Sequence, residues 1–153
     1  MYDKILLPTD GSANSEKAII HAVNMANDEN SEILVLNVVD SVYLSGLPEE
    51  ELITDTEIVL ERESKRVTHR VEKIIEKYEE ELDIEPGKIK IETLTMEGNA
   101  ADVILKISEE KDVDLVVMAS SGKHMIDRFL LGSVTEKTVR HSKVPVLVIP
   151  NGY

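Results

Sequence analysis

Cysteine and tryptophan are absent from this 153-residue chain, and aromatic residues make up only 3% of it. Without cysteine there is no disulfide framework, no thiolate metal site and no thiol nucleophile, which fits a reducing interior. The scarcity of aromatics argues against base stacking on an aromatic platform and requires an aliphatic core. No apolar run approaches the ~18 residues of a membrane span. The opening "MYDKILLPTDGS" lacks the shape of a signal peptide. A cytoplasmic location is the expectation.

Positive charge is also scarce. The chain has 17 lysines and arginines against 30 aspartates and glutamates, a net charge of −13. Such a chain repels nucleic acid and anionic membrane at long range, so neither is expected as a partner. Residues 118–143 run the other way. There Lys123, Arg128, Lys137, Arg140 and Lys143 outnumber Asp127 and Glu136, a balance of +3 in a chain whose other residues total −16. A solvated helix face would account for such a cluster. Its coincidence with a glycine-containing loop points instead to a local anion site.

What is present is aliphatic and periodic. Hydrophobic residues are 42% of the chain, and its length suits one domain spanning 1–153 with a sizeable core. Five apolar runs stand out: "KILLP" (4–8), "EILVLNVV" (32–39), "KIKIETLTM" (88–96), "DLVVMA" (114–119) and "VPVLVIP" (144–150). Four of them are nearly continuous Leu, Ile and Val, as in parallel strands covered on both faces. The run at 88–96 alternates Ile89, Ile91 and Thr93 with charged positions and reads as a half-exposed edge strand.

Helical patterns lie between the runs. Residues 13–27 set Ala18, Ile19, Ala22, Val23 and Ala26 on one stripe. Residues 50–82 form a long helical stretch whose later stripe is Val67, Val71, Ile74, Ile75, Tyr78 and Leu82, with a charged middle, "ERESKR", projecting into solvent. Residues 99–111 open on "NAAD", with Asn99 as N-cap, and bury Val103, Ile104 and Ile107. Residues 133–142 open on "SVTE", the capping-box pattern, and 41–48 read as a loop.

Strand and helix alternate, ending on a strand. Right-handed crossovers then give an α/β fold: an open five-stranded parallel sheet, order 3-2-1-4-5, with helices on both faces, flavodoxin-like or Rossmann-like. Ligands of such sheets bind beyond the strand C-termini, where the strand order reverses. The loops meeting there are "PTDGS" (8–12) and "ASSGKHMIDRFLLGSVTEKT" (119–138).

Standard phosphate motifs do not fit. The pattern G-x-x-x-x-G-K-S/T would need glycine at 117 and serine or threonine at 124, where Val117 and His124 stand. No G-x-G-x-x-G follows the first strand, and His21, His69, His124 and His141 are scattered. What remains is Gly122, nine residues, and Gly132-Ser133 at a helix start. Glycine lets backbone approach a phosphate, and the amides of a helix start bind anions.

This combination resembles the universal stress protein family, whose ATP-binding members carry G-x-x-G-x9-G-S/T. The resemblance extends along the chain, through "ILLPTDGS", "NVVD", "DLVVMASSG" and "LLGSVTEKTVRHSKVPVLVIP". The first motif glycine is replaced by Ala119, so the pattern reads A-x-x-G-x9-G-S. If that position needs a positive φ, alanine costs ~1 kcal/mol or more; if it needs only a small side chain, alanine suffices.

The resemblance implies ATP, with Mg or Mn, held by Pro8, Thr9, Asp10, Val38, Ala119, Gly122, Lys123, Gly132, Ser133 and Val134. Asp10 would lie near the ribose or the phosphate-bound metal, and Val38 would meet adenine through its backbone. Gly122, Gly132, Ser133 and Val134 would surround the phosphates. Structural alternatives stand beside each role. Asp10 with Gly11 is a common turn pair, and Asp10 or Ser12 could cap the first helix. Val38 could be core, Ser133 with Glu136 a capping box, and the two glycines turn residues.

The expected function is a small ATP-binding regulatory protein of the stress-response type, at most a slow ATPase, because no residue is placed as a base for an attacking water. A nucleotide-free interaction module is the alternative, and an adenylating enzyme a more remote one. The last strand is an aliphatic sheet edge without lysine, so a homodimer through 144–150 is expected.

Overall fold

The computed structural model describes residues 1–40, 49–120 and 131–150, with the backbone alone over 49–55. The expected loop at 41–48 lies outside the described residues. The elements alternate along the chain: β1 (Lys4–Pro8), α1 (Ala13–Glu29), β2 (Glu32–Asp40), α2 (Glu49–Glu81), β3 (Lys90–Gly98), α3 (Ala100–Glu110), β4 (Leu115–Ala119), α4 (Ser133–His141) and β5 (Val146–Ile149). The strands form one five-stranded sheet in the order β3-β2-β1-β4-β5, and every pairing is parallel. The expected topology stands.

The aliphatic runs split between two layers because side chains alternate along a strand. Ile5, Leu7, Ile33, Val35, Leu115 and Val117 face α1 and α2, which contribute Ile19, Val23, Val67 and Val71. Leu6, Leu34, Leu36, Val116 and Met118 face the opposite way, onto Val103, Ile104 and Ile107 of α3 and Val134 of α4. β3 is the half-exposed edge that its alternating sequence predicts.

Local chemistry sets the element ends. Asn99 caps α3, its side chain accepting the Asp102 N–H at 3.2 Å, as "NAAD" predicts. α1 stops at Asn30, which takes the left-handed conformation that asparagine tolerates. α2 stops at Glu81, short of Leu82. The left-handed Asp83 turns the chain, and Ile84 enters the core in place of Leu82, which is 45% exposed. β3 begins two residues later than the run at 88–96 because "EPGK" forms a turn, with Lys88 N–H bonded to Glu85 C=O at 3.0 Å.

Candidate functional site

β1 and β4 are neighbours, but the chain leaves β1 for α1 on one face and β4 for α4 on the other. A crevice opens between those departures, with a cavity of about 200 Å³. Its floor and one wall are apolar: Pro8 of β1, Leu36 and Val38 of β2, Met118 and Ala119 of β4, and Ala100 and Ile104 of α3. Its polar side is Thr9, Asp10 and Ser15 beside β1, with Thr135 of α4 beside the apolar Val134. Such a lining suits a ligand with a flat apolar part and a polar, anionic part.

Six of the residues named from the sequence, Pro8, Thr9, Asp10, Val38, Ala119 and Val134, line this one crevice. Gly132 and Ser133 form the start of α4 directly before Val134. Gly122 and Lys123 lie outside the described residues. Ser15, Leu36, Ala100, Ile104, Met118 and Thr135 also line the crevice and were not singled out as site residues. Leu36 could have been found, because it lies two residues before Val38 and so shares its face. Ala100 and Ile104 had no such signal; they arrive from the far edge strand, across the sheet.

The sheet leaves a backbone edge open into the crevice. The β1–β2 ladder ends at Pro8 opposite Leu36, with Thr9 N–H on Leu36 C=O at 2.9 Å, while β2 continues to Asp40 beside β3. Strand alternation directs the N–H and C=O of Val38 to the same edge as the Leu36 carbonyl. Past the end of β1 that edge faces the crevice.

The start of α4 differs from its capping-box reading. The N-cap is Gly132, with φ −63° and ψ 154°, and Ser133 is already the first helical residue. Among the described residues no side chain caps the helix, Ser133 is exposed, and Glu136 pairs with Arg140 at 2.7 Å. Gly132 donates its N–H to Ser120 C=O at 2.8 Å. The amides of Ser133, Val134 and Thr135 follow it in the first turn, where a helix supplies no carbonyl to receive them. Gly132 is therefore not needed for a left-handed turn.

Ala119 resolves in the same way. It is the last residue of β4, opposite Ile149, and is not among the positive-φ residues. Alanine carries no backbone penalty there, and its methyl group forms part of the crevice lining.

The loop after β1 is held tightly. Asp10 Oδ1 accepts the Ser12 N–H at 2.9 Å, Thr9 Oγ1 accepts the Gly11 N–H at 3.1 Å, and Thr9 Oγ1 donates to Ser15 Oγ at 2.9 Å. The turn pairing of Asp10 is thus real, and it leaves the residue in the crevice wall. Ser12 occupies the N-cap position of α1 without forming a side-chain cap bond. Gly11 has φ +73°, a conformation that favours glycine. Behind this loop stands a residue read from the sequence only as part of a solvated stretch: Arg66 of α2 donates to Asp10 C=O at 3.2 Å.

The expected local surplus of cations is smaller than the sequence window suggests. Lys137 pairs with Asp102 at 2.7 Å and Lys143 with Glu109 at 3.1 Å, both partners coming from α3. Arg140 is held by Glu136. Of the five cations in the window, only Lys123 and Arg128 lie outside the described residues.

For a divalent metal, the described residues contain no group of three or more His, Asp or Glu side chains that would hold the ion by themselves. One carboxylate in the crevice, Asp10, suits an ion whose other ligands are phosphate oxygens and waters, which is how Mg²⁺ is commonly bound. The residues fit a metal that arrives with a nucleotide.

A doubly wound parallel sheet with a crevice at its reversal point defines a class of small ligand-binding α/β proteins. Within that class the chain belongs to the universal stress protein family, whose model it matches over residues 1–150. It is 37% identical over 152 residues to the universal stress protein MJ0531 of Methanocaldococcus jannaschii, covering 97% of this chain and 82% of that one. The solved structure of MJ0577 from the same organism superposes with a TM-score of 0.80 at 33% identity, covering 100% and 99% of the two chains. A more distant structure, an Archaeoglobus fulgidus universal stress protein in complex with dAMP, shares the fold at 18% identity and TM-score 0.57, over 97% and 98% of the chains.

Proposed function

We propose that this chain binds ATP, with Mg²⁺ or Mn²⁺, in the crevice between β1 and β4 and acts as a nucleotide-dependent regulatory module in the cytoplasm. The observation that carries this reading is the convergence of three unlike surfaces on one cavity. An apolar wall of Leu36, Val38, Ala100 and Ile104 receives a base. The open edge of β2 at Val38 offers an N–H and a C=O to that base's rim. At the other end, the first-turn amides of α4 after Gly132 donate to phosphate, as helix N-termini do. Asp10 stands between them, in reach of a ribose or of a phosphate-bound metal. The complex of a fold relative with dAMP agrees with an adenine nucleotide as the ligand class.

Among the described residues that line the crevice Asp10 is the one carboxylate, and its Oδ1 accepts the Ser12 N–H of its own turn. Turnover is accordingly slow or absent, and the output is a change of state. The reading includes a homodimer through 144–150, because β5 is a sheet edge whose Val146, Leu147 and Val148 are only half-buried.

Calorimetric titration with ATP and Mg²⁺ tests the reading, together with assay of nucleotide released when freshly purified protein is denatured. Binding heat, or adenine nucleotide in the released fraction, is expected. No heat and no thermal shift at millimolar ATP would remove the claim and leave a nucleotide-free interaction module.

A further inference from the structure

α2 is 33 residues long, and its later part is packed into the sheet. Val67, Val71 and Ile75 are buried against β-strand side chains and α1, whereas none of residues 56–66 is buried. Val67 lies level with the loop after β1: a Cβ built on Gly11 would come within 3.4 Å of its Cγ2. The helix N-terminal to Val67 therefore extends past the C-terminal end of the sheet. Arg66 sits at that point of departure.

Its guanidinium has two sets of contacts. Nε and Nη2 reach the two carboxylate oxygens of Glu63, one turn earlier, at 3.2 and 2.8 Å. Nη2 also donates to Asp10 C=O at 3.2 Å. The Glu63 pair holds the plane of the group, which favours the charged form and raises the Arg66 pKa. The same group crosses close over Gly11, where an added Cβ would be 3.0 Å from Nη1. The loop Thr9–Ser12 is thus held between the crevice on one side and Arg66 and Val67 on the other. Its internal bonds, Ser12 N–H to Asp10 and Gly11 N–H to Thr9, are all local. The Arg66 bond ties the Asp10 backbone to α2.

We propose that Arg66 is a positioning residue for the nucleotide crevice, fixing the Asp10 loop from behind and passing its occupied or empty state to the projecting N-terminal part of α2. The proposal rests on the reading of the crevice as an ATP site. A ligand that draws on the Asp10 side chain orders its carbonyl as well, because both belong to one residue of a four-residue loop. That carbonyl is where Arg66 is bonded, and Glu63 connects Arg66 to the preceding turn of the helix. Lysine cannot replace the guanidinium here, since it lacks the planar fork that engages Glu63 and Asp10 together.

The test uses the full chain and Arg66→Ala, Arg66→Lys and Glu63→Gln, with ATP-Mg²⁺ as the probe. Calorimetry measures affinity, and hydrogen exchange compares residues 56–66 with and without ATP. The parent is expected to gain protection at 56–66 on binding. Arg66→Ala is expected to bind about fivefold more weakly, the effect of one partly exposed charged contact, and to lose that gain while residues 132–138 keep theirs. Arg66→Lys should resemble Arg66→Ala, and Glu63→Gln should fall between it and the parent. A merely structural Arg66 would lower the melting temperature without separating the two regions. If the parent binds ATP and Arg66→Ala binds equally well with unchanged protection at 56–66, this inference fails and the ATP site stands. If the parent binds no ATP, both fail.

Discussion

Thr135 Oγ1 donates a 2.9 Å hydrogen bond to the backbone carbonyl of Ala119, joining the first turn of α4 to the last residue of β4. The two residues are sixteen apart in sequence, and both line the crevice. This bond links the strand end and the helix start that border the site. Thr135→Val keeps the shape, removes the donor and leaves the carbonyl without it. A loss of about 1–2 kcal/mol in urea-unfolding stability is expected. ATP affinity, followed by calorimetry, should fall with it. Unchanged values of both would mean that the bond does not position α4.

Ala119→Gly tests whether the missing motif glycine matters. Because Ala119 is ordinary strand backbone, glycine relieves no strain there. The variant should lose about 0.5–1 kcal/mol of stability from added chain entropy. Its ATP affinity should stay close to that of the parent. A large gain in affinity would show that the alanine methyl obstructs the ligand.

Gly132→Val is expected to abolish ATP binding with the fold intact. The backbone at Gly132 lies in the β region, which valine adopts readily, so its circular dichroism and cooperative melt should be retained. Gly132 is buried and its amide is bonded to Ser120 C=O, so a branched side chain at this position is expected to crowd the backbone that leads into the first turn of α4. Parent-like binding would overturn the assignment of phosphate to this helix start.

Lys123→Gln should weaken ATP binding modestly, and by less as ionic strength rises, if the lysine acts through its charge, since salt screens charge over ~10 Å at 0.1 M. Lys137→Gln should do less, because Lys137 is already paired with Asp102. Titrations at several salt concentrations separate the two. Equal effects of both substitutions would return the cluster to a general solvated face.

Sedimentation at micromolar concentration should give about twice the monomer mass of 17.1 kDa. Val148→Lys places a charge in the middle of the four-residue strand β5 and should shift the protein toward monomer. A monomeric parent would end the dimer proposal.

The strand order and the two helical layers were legible in the sequence, because both follow from short-range periodicity. Continuous aliphatic runs mark buried parallel strands, a repeat near 3.6 marks helices, and right-handed crossovers leave few ways to connect them. That the loop after β1, the end of β4 and the start of α4 border one crevice followed from that order alone. The tertiary structure decided what depends on residues meeting from distant segments. It made Gly132 rather than Ser133 the N-cap of α4, with the Gly132 N–H bonded to Ser120 C=O beyond the end of β4. It cancelled much of the cationic window through Asp102 and Glu109, which a count over 118–143 could not include. It also drew Arg66 out of a charged helical stretch and set it on the Asp10 carbonyl, 56 residues away. Periodicity records which face a side chain occupies; which atom it meets there depends on how whole helices are laid against the sheet.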